Sequence, residues 1–230
     1  MDSFDFSDYI SSLTEGFTPI IDTKYKLKDY VKIDLSQTNK KLSDMKIPSS
    51  PEFKKYIDDK VSKQKGKVAY GGYNEKRNIY KQSKIFNDEK TSSPREIHIG
   101  LDIWCDVGTA VLAPLDGTVH SFRNNEGLGN YGPTIILEHI IDEKTFYTLY
   151  GHLKKRCIIN LSFGQIVEAG DKIAEVGSPK VNGGYAPHLH FQIIDDLQGN
   201  SGDYPGVVAK EDLDLHMQNC PDPNLFLKIG

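Results

Sequence analysis

Between Arg95 and Ile194 the chain is cut into short β-prone runs separated by glycine-bearing turns, and this punctuation limits the folds open to it. Residues 109–113, 118–122, 134–139, 145–150, 165–167, 172–176 and 188–194 are rich in β-branched, aromatic or alternating apolar residues. Turn signals stand between them: Asp116-Gly117, the charged Asp142-Glu143-Lys144, and Glu168-Ala169-Gly170-Asp171, which reads as the tip of a hairpin. Many short strands at this spacing predict a mainly β fold, as an antiparallel sheet, sandwich or partly closed barrel. Two glycine-rich stretches, 124–133 and 177–187, are too long for tight turns. Long loops on a rigid β scaffold commonly shape a groove.

The first ninety residues read differently, as helical pieces with polar connectors. Ser3 is placed to cap a short helix carrying Phe6, Tyr9, Ile10 and Leu13. Ser50-Pro51-Glu52 opens a second, with a capping serine and proline at the first helical position, and Phe53, Tyr56, Ile57 and Val61 follow on one face. A third is expected over residues 74–86. Residues 1–90 carry 18 Lys and Arg against 14 Asp and Glu, whereas residues 91–230 carry 10 against 18. The opposite signs suggest two regions drawn together. The division expected is a helical N-terminal region over 1–90, docking or inhibitory, a β domain over 91–200, and an irregular tail over 201–230 with a short helix.

A net charge of −4 offers no reason to expect nucleic acid as a partner. No segment is apolar for long enough to span a bilayer. The N-terminus, Met1-Asp2-Ser3-Phe4-Asp5, is acidic where a secretory leader is basic and then apolar. That favours a cytoplasmic location, or the cell envelope if a leader has been removed. Cys105, Cys157 and Cys220 are an odd number without close pairing, so reduced thiols are expected. Nothing in the sequence speaks to oligomeric state.

Histidine is scarce, seven in 230 residues, yet four fall in short patterns: His98-Ile99-Gly100-Leu101-Asp102, Gly151-His152-Leu153 and His188-Leu189-His190. Imidazole nitrogen and carboxylate oxygen are ligands that zinc accepts, and three of them with one open position is the catalytic arrangement. Residues two apart on a strand share a face, so His188 and His190 are expected to point into one groove while Leu189 and Phe191 pack behind. His139 is expected to pack or to support a ligand, and His120 to face solvent. Asn130, Tyr131 and Tyr185 lie in the two long loops and are candidate groove residues. Trp104 and Cys105 read as core.

These motifs together resemble the lysostaphin/LytM-type zinc metallopeptidases, many of which cut peptide cross-links in bacterial cell walls. The resemblance rests on His98-Ile-Gly-Leu-Asp102, Gly108-Thr-Ala-Val, Asp116-Gly-Thr-Val119, Thr148-Leu-Tyr-Gly-His-Leu153, Gly170-Asp-Lys-Ile-Ala174 and Pro187-His-Leu-His-Phe191, in the family's order. It implies a small antiparallel β domain with one Zn²⁺ at the floor of a groove, held by His98, Asp102 and His190. His152 and His188 are then the catalytic histidines. The activity implied is hydrolysis of a peptide bond, in peptidoglycan cross-links, by a metal-activated water.

Other readings remain beside it. Gly202-Asp-Tyr-Pro-Gly206 and Cys220-Pro-Asp-Pro-Asn224 also resemble metallopeptidase-like modules inside larger intracellular proteins, where another small amide is the substrate. A zinc-stabilised binding or regulatory protein is a second alternative, with the N-terminal region lying across the groove to supply a fourth ligand. A carrier module of the lipoyl type needs an exposed lysine at a hairpin tip, and Ala169-Gly170 offers none. A phosphocarrier has no use for Asp102 beside His98.

Overall fold

The strand His188–Ile194 is buried along its whole length, and its alternation decides what each side of the central sheet carries. Leu189, Phe191 and Ile193 enter the main hydrophobic core, while His188, His190 and Gln192 project from the other face. The computed structural model describes residues 5–42, 51–82, 85–86 and 93–230. Its strands are β1 (Tyr30–Lys32), β2 (Val68–Gly71), β3 (Glu75–Lys76), β4 (Ile97–His98), β5 (Leu101–Trp104), β6 (Ala110–Leu112) and β7 (Gly117–Asn125). After them come β8 (Gly132–Ile141), β9 (Lys144–Gly151), β10 (Ile166–Val167), β11 (Lys172–Glu175), β12 (His188–Ile194) and β13 (Val207–Val208).

Eight strands form one sheet in the order β1-β2-β5-β12-β9-β8-β7-β10, antiparallel throughout except for the parallel β1–β2 pair. The mainly β architecture expected from the sequence is what the chain adopts. Asp142 and Glu143, at φ 48° and 63°, close the β8–β9 hairpin, as its charged turn required. The long β7–β8–β9 meander buries Val119, Ile135, Leu137, Phe146 and Tyr150 on the core side.

Helix α1 (Phe6–Ser12) lays Phe6 and Ile10 on this core, and Phe6 meets Phe146 edge-on. Its cap is Asp5, whose carboxylate accepts from the Ser7 and Asp8 N–H groups, and not Ser3, which lies outside the described residues. Helix α2 (Pro51–Lys63) starts at the expected proline and buries Phe53, Tyr56 and Ile57 against Val31, Ile33, Ala69 and Trp104. Its expected cap, Ser50, is likewise outside the described residues.

Three local expectations are corrected. The described residues of 74–86 do not make a third helix; they include β3 and a 3-10 segment, Asn78–Gln82. Tertiary bonds override helical periodicity here, because β3 pairs with β4 and the Glu75 carboxylate accepts from the Leu35 N–H at 2.9 Å. The 165–176 segment is no hairpin, since β10 pairs with β7 and β11 with β6. His120 is half-buried against the Tyr147 ring instead of facing solvent.

In the tail, β13 pairs with β4, and two short helices follow, α3 (Leu213–Asn219) and α4 (Asn224–Leu227). The three cysteines are free. No helix among the described residues is long and apolar enough to cross a membrane.

Candidate metal centre

Strand register assembles this site from residues far apart in sequence. On β12, His190 stands opposite Asp102 of β5 on one side and Gly151 of β9 on the other. His188 stands opposite Trp104, and His152 follows directly after Gly151. His98 arrives from β4, four residues before Asp102. All five side chains are buried, at 2–5% exposure.

His98 Nε2, Asp102 Oδ1 and His190 Nδ1 converge on one point. Their separations are 2.9 Å between the two nitrogens, 3.3 Å from His98 to Asp102 and 3.2 Å from His190 to Asp102. Among the described residues these three form the one group able to share a metal ion. A tetrahedral zinc with bonds of about 2.0–2.2 Å has ligand–ligand edges of about 3.3–3.6 Å, so the triangle is nearly of zinc size.

Protonation supports the same conclusion. His98 Nδ1 lies 2.8 Å from the Gly72 carbonyl, an acceptor only, so Nδ1 carries the proton and Nε2 the lone pair. His190 Nε2 lies 3.1 Å from Gln192 Oε1. The orientation of that amide is set by its nitrogen, which donates to the Pro205 carbonyl and the Cys220 sulfur. His190 Nε2 is therefore the protonated nitrogen, and Nδ1 presents a lone pair. Two imidazole lone pairs and a carboxylate oxygen face one another, a donor set that fits a cation.

Burial holds the pKa of His98 down at about 4, helped by the nearby Arg77 cation. Burial opposes ionisation of Asp102, but His98, Arg77 and His188 outweigh it and keep the carboxyl well below its ordinary range. A neutral His98 imidazole beside an ionised carboxylate is the protonation state a divalent metal requires.

His152 and His188 stand beside the triangle, their ring centroids 4.2 Å apart. His152 Nδ1 donates to the Asn182 carbonyl at 2.9 Å and His188 Nδ1 to the Ala186 carbonyl at 2.7 Å, so both turn an Nε2 lone pair inward. Burial lowers both pKa values, which keeps both rings neutral near pH 7. His152 adopts φ +64°, a left-handed conformation uncommon for a residue other than glycine. Its N–H donates to the Tyr131 carbonyl, and its carbonyl accepts from the Gly177 N–H, so two loops hold it there.

The three loop residues singled out from the sequence line the same cavity of about 290 Å³, but they act differently. Tyr131 packs on His190 and sets its hydroxyl 3.4 Å from Nε2, and Tyr185 meets His152 edge-on. Asn130 spends its amide within its own loop, donating to the Glu126 carbonyl and accepting from the Tyr131 N–H. Trp104 is a core residue, as expected, and also stacks on His188 at the edge of the site. His139 is buried in packing, bonded to the Asp116 carbonyl and the Thr148 hydroxyl.

Four residues escaped sequence reading: Gly72, Arg77, Tyr80 and Gln192. Gln192 was within reach, since the alternation that pairs His188 with His190 extends to it. The other three carry no local signal. Arg77 and Tyr80 form part of a cavity wall built from the N-terminal region with Leu35 and Phe53, and Gly72 reaches the site through its carbonyl on His98 Nδ1; this region adds no further ligand to the group among the described residues.

Residues 96–203 match Peptidase family M23. Similar proteins include the peptidoglycan DD-endopeptidase ShyA of Vibrio cholerae, 36% identical over 98 residues, which are 42% of this chain and 20% of that protein. An L-Ala–D-Glu endopeptidase of Bacillus subtilis is 30% identical over 143 residues, 59% of this chain and 42% of that one. The catalytic domain of lysostaphin from Staphylococcus simulans superposes with a TM-score of 0.41 at 27% identity, covering 69% of this chain and 88% of that one. The chain spans about a fifth of the length of the first relatives it matches, 18% and 20%. His98, Asp102, His152, His188 and His190 all fall within the matched segment, and residues 96–203 form a domain of the peptidase M23 family.

Proposed function

We propose that the chain is a zinc-dependent endopeptidase that hydrolyses an amide bond in peptidoglycan cross-links, with one Zn²⁺ held by His98, Asp102 and His190. The observation that carries this reading is the meeting of three unprotonated donor atoms within 3.3 Å of one another in a buried cleft. The peptidoglycan DD-endopeptidase among the relatives supports the substrate class. When bound, zinc supplies Lewis acidity, which makes water more acidic and a carbonyl more electrophilic.

The chain's own residues supply the proton chemistry. His152 and His188 each hold a neutral ring with Nε2 turned into the cavity, and either lone pair is positioned to accept a proton from an attacking water. Water adds to the scissile carbonyl carbon, its proton passes to an imidazole, and the same proton goes on to the leaving nitrogen as the C–N bond breaks. The products are a carboxylic acid and an amine, which near neutral pH become a carboxylate and an ammonium ion as the second proton of the water moves from one to the other. Backbone carbonyls at Asn182 and Ala186 fix each ring's orientation, so little reorganisation accompanies each transfer. Tyr131 and Tyr185 keep their phenol protons, because burial pushes both pKa values well up, and the Tyr131 hydroxyl beside His190 is available to donate to a developing oxyanion.

The test is incubation of zinc-loaded protein with purified peptidoglycan and with cross-linked peptide dimers, reading new amino groups by mass spectrometry. New amines are expected with the native protein, and about 10²–10⁴-fold slower release with His188→Ala. Intact substrates after incubation with zinc-bound native protein would remove peptidoglycan as the target.

A further inference from the structure

One buried charged residue beside the metal centre lies outside the matched segment and has no role in the chemistry above. Arg77 lies outside residues 96–203, on the segment after β3, and is only 2% exposed. Its Nη1 donates to Asp102 Oδ2 at 2.7 Å and lies 3.1 Å from the Tyr80 hydroxyl, and its Nε donates to Glu75 Oε2 at 2.6 Å. The Trp104 ring centre lies 5.8 Å from the guanidinium carbon. The main chain is pinned as well, since the Arg77 N–H donates to the Glu96 carbonyl next to β4.

The carboxylate of Asp102 is thus divided. Oδ2 belongs to Arg77, while Oδ1 alone faces His98 and His190. A buried carboxylate rotates readily unless both oxygens are held, and a guanidinium fork holds one with direction as well as charge. Glu75 completes the arrangement. Its second oxygen accepts from the Leu35 N–H, and its charge offsets that of Arg77, so the guanidinium orients Asp102 without leaving a net positive charge beside a cation site. Gly72 acts in parallel on His98, whose Nδ1 it accepts from. It also admits the Arg77 fork, because a Cβ on Gly72 would lie 1.9 Å from Nη2.

We propose that Arg77 is a positioning residue of the metal centre, holding Asp102 as a single-oxygen ligand, so that a segment outside the family match completes the site. This rests on the zinc-site reading above. Buried partners that orient metal ligands typically contribute about 10–100-fold in metal affinity or activity.

The experiment measures zinc dissociation constants by chelator competition, the visible spectrum of the Co²⁺-loaded protein, and thermal unfolding with and without zinc, on the full chain. For Arg77→Met the zinc Kd is expected to weaken by about 10–100-fold. The Co²⁺ bands should change intensity as Asp102 turns its second oxygen to the metal, and the zinc-induced rise in Tm should shrink. Arg77→Lys keeps the charge but not the fork, and an intermediate loss is expected. Should Arg77→Met fail to fold, Arg77→Lys and Glu75→Gln, which removes the negative charge facing Arg77 Nε, carry the same measurements.

If the folded variants lose Tm with and without zinc by equal amounts, keeping the native Kd and Co²⁺ spectrum, Arg77 only clamps the N-terminal segment and the proposal is overturned. If the native protein itself binds no zinc, the zinc-site reading fails first and this inference with it.

Discussion

Gly100 offers a way to disturb the centre without touching any donor atom. It sits between His98 and Asp102, and a Cβ built there would lie 2.3 Å from His190 Cε1, 2.5 Å from His190 Nε2 and 3.0 Å from the Phe191 carbonyl. Ordinary carbon contacts are about 3.5–4.0 Å, so in Gly100→Ala the His190 ring has to withdraw by roughly 1 Å. The ring has little room to move: Nε2 is tied to Gln192 and Tyr131 packs on one side. Zinc bonds tolerate only about ±0.2 Å. Either the ring gives way and the metal loses a ligand, or it stays and the strain remains. Overpacking of this kind costs about 1–3 kcal/mol, and if that strain falls on the metal-bound state it weakens zinc binding roughly 5- to 150-fold. Zinc affinity by chelator competition reads this directly, with Gly16→Ala as the control because nothing lies within 4 Å of its added methyl. Native affinity and native activity in Gly100→Ala would refute the geometry of the centre.

Other consequences can be checked alongside. His152→Ala and His188→Ala should each keep one zinc per chain while kcat falls by about 10²–10⁴, measured by metal analysis and amine release. The metal-free protein should lose stability as pH falls. The folded pKa of His98 is held at about 4 by burial, below its ordinary 6.5, so the unfolded chain takes up protons first. Its contribution is complete above pH 6.5 and is lost towards pH 4, a change of about 3 kcal/mol in urea unfolding, with His152 and His188 acting in the same direction. A flat stability profile from pH 7 to 4 would contradict this. A fragment limited to residues 96–203 should neither fold stably nor bind zinc, because β5 loses β2 as its sheet neighbour and the core loses Phe6, Ile10 and Phe226. A soluble fragment with protected amides and bound zinc would contradict that.

How much was legible in the sequence follows the range of the interactions. The alternation in His188–Ile194 gives strand β12 end to end, since one face must enter the core and the other must not. The turn at Asp142 and Glu143 was readable because its backbone favours short polar residues. The five histidine and aspartate positions were recoverable because strand register brings together residues that motif order already grouped. What escaped depends on partners remote in sequence. Residues 75–82 have helix-compatible spacing, yet Glu75 bonds the Leu35 N–H across 40 positions and Arg77 bonds Asp102 across 25. The strands β1 and β2 extend the central sheet from the region expected to be helical, and Val68 and Ala69, fully buried there, are too short a run to announce a strand. The paired opposite charges of the two halves were a fair indication, realised in the Arg77–Asp102 and Lys76–Glu96 ion pairs.

The most direct measurement is an anomalous difference map at the zinc absorption edge, from crystals of the full chain grown with zinc. A single strong peak is expected within about 2.0–2.2 Å of His98 Nε2, Asp102 Oδ1 and His190 Nδ1. A zinc peak elsewhere with those three atoms unligated, or none at all, would contradict the metal centre and the hydrolytic function built on it.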